Sequence, residues 1–167
     1  MTIANILTLL RLAAVPLFVY LFSLEGMDPH WIALVFVFTG ITDVLDGRLA
    51  RSRNEVTRFG TLMDPLADKL IMLAAVFSLA ARGRVPQWLA LLLAAKELAL
   101  IVGAGFFLVS KSKVTPASNV GKLATVLLYI GVTGIIIGIS SMVYVVFLGV
   151  GVSILAGLGY LLQALRK

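Results

Sequence analysis

The sequence predicts an all-α integral membrane protein, folded as a bundle of six transmembrane helices. Its 167 residues are 60% hydrophobic and only 13% charged, and the mean hydropathy is +1.07. A soluble domain of this size exposes much of its chain to water and could not hide so much apolar surface. Lipid is therefore expected to cover most of the exterior.

Six segments are apolar over the roughly 20 residues that a membrane span requires. We assign them to Ile3–Leu24, His30–Ala50, Thr61–Ala81, Pro86–Val109, Asn119–Ile139 and Met142–Leu165. The connections are short and no linker interrupts them, so residues 1–167 are expected to form a single domain. The first segment lacks the basic start and cleavage site of a secretory signal, so we expect it to be retained.

Basic residues indicate how the bundle is oriented, because short cytoplasmic loops are enriched in Lys and Arg. They concentrate in two alternate connections and at the C-terminus: Arg51, Arg53, Arg58, Lys111, Lys113, Arg166 and Lys167. Two arginines in the third connection, Arg82 and Arg84, run against this pattern. The balance predicts a multi-pass protein of the cell membrane with both termini in the cytoplasm.

The composition also limits the chemistry. The chain has no cysteine and a single histidine, His30, which excludes disulfides, zinc fingers, iron–sulfur clusters and thiol catalysis. Any metal site must therefore use oxygen ligands. The net charge of +6 fits a cytoplasmic membrane edge and anionic, phosphate-bearing partners rather than nucleic acid.

Four of the eight acidic residues flank one predicted cytoplasmic connection: Asp43, Asp46, Asp64 and Asp68. A carboxylate at mid-membrane costs on the order of 2.5 to 3.5 kcal/mol, so these four require an explanation. Their i, i+3 and i, i+4 spacings place each pair on one helical face. Carboxylates that converge repel each other unless they are neutralised, and Mg²⁺ or Mn²⁺ suits an all-oxygen site. The alternative is that they snorkel to the interface or pair with nearby arginines, Arg48, Arg51 and Arg58.

Residues 43–68 read DVLDGRLARSRNEVTRFGTLMDPLAD. This stretch resembles the signature of the CDP-alcohol phosphotransferase (CDP-alcohol phosphatidyltransferase) family, D-x2-D-G-x2-A-R-x8-G-x3-D-x3-D, at every fixed position. The resemblance implies that the four aspartates hold two divalent metals beside the pyrophosphate of a CDP-linked lipid. It also implies that Asp68 takes the proton from the attacking hydroxyl, in a two-metal, in-line displacement.

Other signature residues are implied to contact the CDP-lipid. Gly47 and Gly60 would let cytidine or phosphate oxygens approach the helix backbone, and Ala50 would leave room for the base. Arg51 would neutralise a phosphate with its fork of donors. The alternative for the two glycines is close helix packing.

A further polar face lies on the first segment, where Asn5, Thr8 and Arg11 are spaced within about one third of the helix circumference. The pattern N-x2-T-x2-R resembles the start of the phosphatidylglycerophosphate synthase branch of the family. TRFG at 57–60 and DPLADK at 64–69 are similar to that branch as well. We assign Asn5 and Thr8 to the CDP-lipid site, with an interfacial anchor as the alternative.

Basic residues near the signature are candidates for holding an acceptor phosphate: Arg58, Lys96, Lys111, Lys113 and Lys122. For the three lysines after residue 110 the alternative role is topological. Lys96 and its neighbour Glu97 lie mid-span, so they form either an internal ion pair or a polar substrate contact. The chain departs from the branch here, which has Arg-Glu at this position and a further arginine where this chain has Gly103-Ala104.

The resemblance therefore implies transfer of a phosphatidyl group from CDP-diacylglycerol to sn-glycerol 3-phosphate, releasing CMP and forming phosphatidylglycerophosphate. Within the same chemistry the acceptor could instead be phosphatidylglycerol, which would give cardiolipin, or an inositol phosphate. From another class, a divalent-cation transporter would also place aspartates in the membrane. Gly134 and Gly138 form a small-xxx-small pair, which we expect to pack within the chain, with a homodimer interface as the alternative.

Overall fold

The fold is described from a computed structural model. It describes the backbone of residues 3–52, 58–109 and 119–165, and the side chains of residues 6–42, 63, 66–99 and 119–159. These ranges contain six α-helices: α1 (Ile3–Ser23), α2 (Pro29–Ser52), α3 (Arg58–Ala81), α4 (Gln87–Val109), α5 (Asn119–Ile136) and α6 (Val143–Leu165). A 3₁₀ turn, Ser140–Met142, joins the last two.

The six predicted segments are confirmed as helices, and the two largest boundary differences are three residues each, at the start of α3 (Arg58 instead of Thr61) and at the end of α5 (Ile136 instead of Ile139). That helix ends at Ile136 because Gly138 adopts a φ of +99°. The Ile139 N–H donates to the Gly134 carbonyl and the Gly138 N–H donates to the Ile135 carbonyl, which is the pattern of a Schellman motif. Gly83, with a φ of +68°, ends α3 in the same way.

The bundle packs in two main groups of helices. α1 lies against α2 and α3, and α5 lies against α6 and also contacts α2. The α5–α6 approach depends on glycine: a Cβ atom at Gly131 would lie 2.7 Å from Cγ2 of Val146, and one at Gly134 would collide with Met142. Packing within the chain is therefore confirmed for Gly134. It is wrong for Gly138, where a Cβ atom would have open space and the glycine instead ends the helix.

The polarity of the bundle is that of a membrane protein. Large apolar side chains such as Leu34, Leu91 and Leu98 are exposed, whereas polar groups such as Arg11 and Glu97 are buried. Within the described residues, three helical stretches are long and apolar enough to cross a membrane: Ile6–Ser23, Asn119–Ile136 and Ser140–Gly159. The regular structure of the described residues is thus entirely helical and is that of a membrane protein, and the number of six spans stays a prediction.

Arg82 and Arg84, which contradict the charge pattern of the other loops, have a structural role. Arg82 donates to the carbonyl of Phe22 at the end of α1, and its guanidinium lies 4.5 Å from the centre of the Phe22 ring. Arg84 donates to the carbonyls of Ile135 and Ile136, at 3.2 and 3.3 Å, at the end of α5. The last carbonyls of a helix lack intrahelical partners and attract cations. The C-terminal ends of α1, α3 and α5 therefore lie at the same end of the bundle.

The start of α2 is fixed at the same end. The Asp28 carboxylate accepts hydrogen bonds from the His30 backbone N–H at 2.9 Å and from the His30 ring at 2.7 Å, as an N-cap does, and Pro29 takes the first helical position. The backbone hydrogen bond, reinforced by the ring, holds the pKa of Asp28 below its ordinary value. Capping hydrogen bonds therefore stabilise the helix ends on this side of the bundle.

Candidate active site

The four aspartates lie on continuous helical backbone. Asp43 and Asp46 belong to the C-terminal part of α2, and Asp64 and Asp68 to the N-terminal half of α3. This backbone supplies the i, i+3 and i, i+4 registers on which the predicted metal site depends. The side chains of Asp43, Asp46 and Asp64 lie outside the described residues, so their convergence stays a prediction. The side chains of Asn5, Ala50, Arg51 and Arg58 and the surroundings of Gly47 and Gly60 also lie outside the described residues, as do Lys111 and Lys113 altogether.

Asp68 is half-buried and has a defined partner. The hydroxyl of Tyr129, from α5, donates to its Oδ1 atom at 2.9 Å. The ammonium of the adjacent residue, Lys69, is directed to Glu97 on α4 instead. Within the described side chains, the Asp68 carboxylate thus accepts a hydrogen bond from a neutral hydroxyl and is not paired with the adjacent ammonium, which leaves it suited to bind a cation or to accept a proton.

The side chains of Asp68 and Tyr129 open onto a groove of about 690 Å³ between α2 and α5, here called the α2–α5 groove. Thr125 and Thr133 add two hydroxyl groups to its wall. The remaining lining residues in the described part of the chain are apolar and include Val37, Ile41, Val126, Ile130 and Met142. The groove therefore places the Asp68 carboxylate beside an extended apolar surface, an arrangement that suits a reaction on a lipid.

A charged cluster centred on the buried Glu97 includes Lys69, the residue that follows Asp68. Glu97 pairs through one carboxylate oxygen with Lys69 and through the other with Lys96, whose ammonium is at 2.5 Å. Lys96 also donates to Ser153 of α6 at 2.5 Å. The internal ion pair, one of the two roles considered for Lys96 and Glu97, is thus present. Lys69 was not anticipated as its third member, although it directly follows Asp68 in the DPLADK motif. The cluster ties α3, α4 and α6 together.

The polar face of α1 points into the protein. Thr8 and Arg11 are 0% and 1% exposed, on a helix that packs against α2 and α3. An exposed interfacial anchor is therefore excluded for these two residues. Burial of a guanidinium inside a lipid-facing bundle is costly and is typical of functional sites.

Lys122 is exposed at the start of α5. Val126 and Tyr129 follow Lys122 by four and seven residues, so the three share one helical face, and both Val126 and Tyr129 line the α2–α5 groove. Lys122 therefore lies on the groove-lining face of α5, about one turn before the groove begins. Of the predicted acceptor-binding residues, Lys122 and Lys96 have described side chains, and Lys96 is held in the cluster with Glu97.

The donor set fits a hard divalent cation. Four carboxylates in this register offer only oxygen ligands, which Mg²⁺ and Mn²⁺ prefer. Asp68 is the one of the four whose side chain the structure describes. The ammonium of the neighbouring Lys69 pairs with Glu97 and not with Asp68. Among the described side chains no three His, Asp or Glu residues lie together, since the other three aspartates fall outside that part of the chain.

Comparison with known proteins places these residues in a family context. Residues 1–156 match the family model of the CDP-alcohol phosphatidyltransferases. A cardiolipin synthase (CMP-forming) of Streptomyces coelicolor is 40% identical over 129 residues, which are 75% of this chain and 60% of that protein. The chain spans 60 to 66% of the length of the first curated relatives it matches, and the three beside the Streptomyces protein carry the name "Putative cardiolipin synthase".

Two further relatives carry other names. A Mycobacterium tuberculosis protein named "Probable phosphatidylglycerophosphate synthase" is 34% identical over 174 residues, covering 98% of this chain and 82% of its own length. A CDP-diacylglycerol–glycerol-3-phosphate 3-phosphatidyltransferase of Rickettsia bellii is 34% identical over 135 residues, covering 80% of this chain and 74% of its own. With the full aspartate signature and a family match over nearly its whole length, the chain belongs to the CDP-alcohol phosphatidyltransferase family.

Proposed function

We propose that this protein transfers the phosphatidyl group of CDP-diacylglycerol to sn-glycerol 3-phosphate, releasing CMP and forming phosphatidylglycerophosphate. The observation that carries the proposal is the position of Asp68, which stands within a complete family signature and faces an apolar groove. The relatives that carry this activity in their names cover 80% or more of the chain. Family membership gives no support to a cation transporter.

We assign the binding of the donor lipid to the signature residues, 43–68, and to α1. Gly47 and Gly60, which have no side chain, and Ala50, which has only a methyl group, would let the cytidine and the pyrophosphate approach, and Arg51 would neutralise a phosphate. Asn5 and Thr8 supply polar contacts from α1, and the burial of Thr8 supports this assignment. The apolar wall of the α2–α5 groove is suited to hydrocarbon.

Asp43, Asp46, Asp64 and Asp68 are the residues that would hold two divalent cations, Mg²⁺ or Mn²⁺, as the use of divalent metals in this family suggests. The bound metals would supply electrostatic stabilisation of charge on the attacking and leaving oxygens. Asp68 removes the proton from the acceptor hydroxyl while the oxygen of that hydroxyl forms a bond to the lipid-side phosphorus. The bond from that phosphorus to the CMP oxygen breaks, CMP leaves with the electron pair, and the proton remains on Asp68 until solvent takes it.

The acceptor phosphate needs a basic pocket beside Asp68, to which we assign Arg58, Lys111, Lys113, Lys122 and Lys96. The position of Lys122 on the groove-lining face of α5 supports its inclusion. Lys96 already has Glu97 and Ser153 as partners, so its contribution would be to the potential of the pocket rather than a direct contact.

Neutralising a true phosphate contact is expected to raise the KM for glycerol 3-phosphate by about tenfold to a hundredfold, because a charge-assisted hydrogen bond contributes about 1.5 to 3 kcal/mol. The variants are Lys111→Gln, Lys113→Gln and Lys122→Gln, and the measurement is steady-state CMP release. The KM for CDP-diacylglycerol should change little. Lys167→Gln, the same change at the C-terminal end of the sequence, is the control. The glycerol phosphate assignment fails if none of the three variants alters the acceptor KM.

A second acceptor, phosphatidylglycerol, is supported by the likeness to cardiolipin synthases and by the apolar groove, which suits a lipid acceptor as well as a lipid donor. Purified protein should therefore be incubated with CDP-diacylglycerol and an equimolar mixture of glycerol 3-phosphate, phosphatidylglycerol and inositol phosphate. We expect phosphatidylglycerophosphate as the main lipid product by mass spectrometry. Cardiolipin as the main product would replace the proposed acceptor while leaving the aspartate chemistry in place.

We also propose that residues 1–167 form one domain with six spans in the cytoplasmic membrane, and that both termini and the signature loop face the cytoplasm. The helix-capping contacts of Arg82 and Arg84 support this orientation, because they give these two arginines a role unrelated to topology.

Cysteine labelling tests the orientation directly, because the chain has no cysteine of its own. In intact cells, Ser52→Cys, at the end of α2, should resist an impermeant maleimide. Met27→Cys, between α1 and α2, should react. Both should react after permeabilisation. Reaction of Ser52→Cys in intact cells would mean that this loop faces the outside. It would contradict both the assigned orientation and a cytoplasmic active site.

A further inference from the structure

Tyr129 is held against Asp68 from several sides. Its ring stacks on Phe36 of α2, with the ring centres 4.8 Å apart and the planes at 26°. The ring also crosses Gly40, where a Cβ atom would lie 2.7 Å from Cε1 of Tyr129. Its hydroxyl donates to Oδ1 of Asp68 at 2.9 Å. Three helices, α2, α3 and α5, therefore meet at this one side chain.

Packing alone does not account for this arrangement. A phenylalanine would stack on Phe36 equally well, so the aromatic contact explains the ring and not the hydroxyl. The hydroxyl occupies one oxygen of Asp68 and thereby limits rotation of the carboxylate, while the ammonium of Lys69 is engaged with Glu97. Gly40 provides the space that brings the ring close enough to reach Asp68.

We propose that Tyr129 is a positioning residue: its hydroxyl, seated by Phe36 and Gly40, fixes the Asp68 carboxylate in its working orientation in the wall of the α2–α5 groove. The kinetic consequence of this proposal rests on the proposed transferase function. The structural consequence, a fixed carboxylate ligand, does not depend on which acceptor is used.

The test is Tyr129→Phe, which removes the hydroxyl and keeps the ring. Residues that orient a metal-binding or catalytic group typically contribute about tenfold to a hundredfold to affinity or activity. We therefore expect kcat for CMP release to fall by about tenfold to a hundredfold, with the KM for CDP-diacylglycerol nearly unchanged. Mn²⁺ binding, measured by electron paramagnetic resonance titration of the purified protein, should weaken in the same variant. Tyr144→Phe, the same change at a residue of α6 that is 73% exposed, is the control and should behave as the wild type.

Gly40→Ala provides an independent second variant, because the added methyl group displaces the ring without removing the hydroxyl. If both changes act through the same hydrogen bond, the double variant should lose no more kcat than the more impaired single variant. Losses that multiply in the double variant would contradict a shared mechanism. A Tyr129→Phe protein with wild-type kcat and wild-type Mn²⁺ affinity would overturn the proposal.

The two proposals fail in different ways. If the wild-type protein releases no CMP from CDP-diacylglycerol with any acceptor, the transferase function fails, and the Mn²⁺ titration still tests Tyr129. If the wild-type protein is active and Tyr129→Phe matches it in both measurements, only the positioning role fails.

Discussion

Replacing Asp68 by asparagine is expected to lower kcat for CMP release by about 10²- to 10⁴-fold, the usual contribution of a general base. The amide keeps an oxygen that can accept the hydrogen bond from Tyr129, so the local structure should persist. It cannot take the proton of the acceptor hydroxyl, which is why turnover and not substrate affinity should suffer. Steady-state kinetics with varied CDP-diacylglycerol separates the two parameters.

The matched control for this change is Asp28→Asn. Asp28 is exposed and caps the start of α2, and asparagine is an equally good N-cap, so the variant should retain wild-type kcat. Unchanged turnover in Asp68→Asn would exclude Asp68 as the base.

Removing one of the other three carboxylates should lower activity to a similar extent, but by weakening metal binding rather than by removing the base. Asp43→Ala, Asp46→Ala and Asp64→Ala are each expected to lower activity by on the order of a thousandfold, because a bound metal supplies several kcal/mol of charge stabilisation. The loss should be accompanied by weaker Mn²⁺ binding and a higher metal requirement. Metal titration of activity and of binding distinguishes these variants from Asp68→Asn, whose loss should persist at saturating metal.

Asp28→Ala is the control for these alanine variants, since it removes a carboxylate outside the proposed site. Wild-type activity and an unchanged metal requirement in Asp43→Ala or Asp64→Ala would contradict the proposed metal site. Stability should be followed by thermal unfolding in detergent, so that loss of fold is not read as loss of metal.

The helices could be predicted from the sequence because apolar length alone determines a helix in lipid, where every backbone group needs a partner within its own segment. Two boundaries differ by three residues, and one of them, the end of α5, depends on the positive φ of Gly138. Hydropathy does not detect such a position, because the residues around Gly138 are as apolar as the helix itself. A glycine shortly before the Ser140–Ser141 pair was the available sequence signal.

The aspartate registers were predictable because they depend only on spacing along α2 and α3. Tyr129 was not, since it lies 61 residues from Asp68 in the sequence and meets it only through the packing of α5. The same holds for Gly40, whose importance arises from a ring on another helix. Lys69 was visible in the DPLADK motif, but its partner on α4 could be identified only in three dimensions.

The central claim is that CMP release is coupled to formation of a glycerophosphate lipid and depends on a divalent metal. The direct measurement follows CMP and the transfer of label from radioactive glycerol 3-phosphate into lipid, with purified protein, CDP-diacylglycerol and either Mg²⁺ or EDTA. We predict one labelled phosphatidylglycerophosphate for each CMP, loss of both products in EDTA, and recovery of both when Mg²⁺ or Mn²⁺ is restored. CMP release that persists in EDTA, or that yields phosphatidic acid with no label in lipid, would contradict the account.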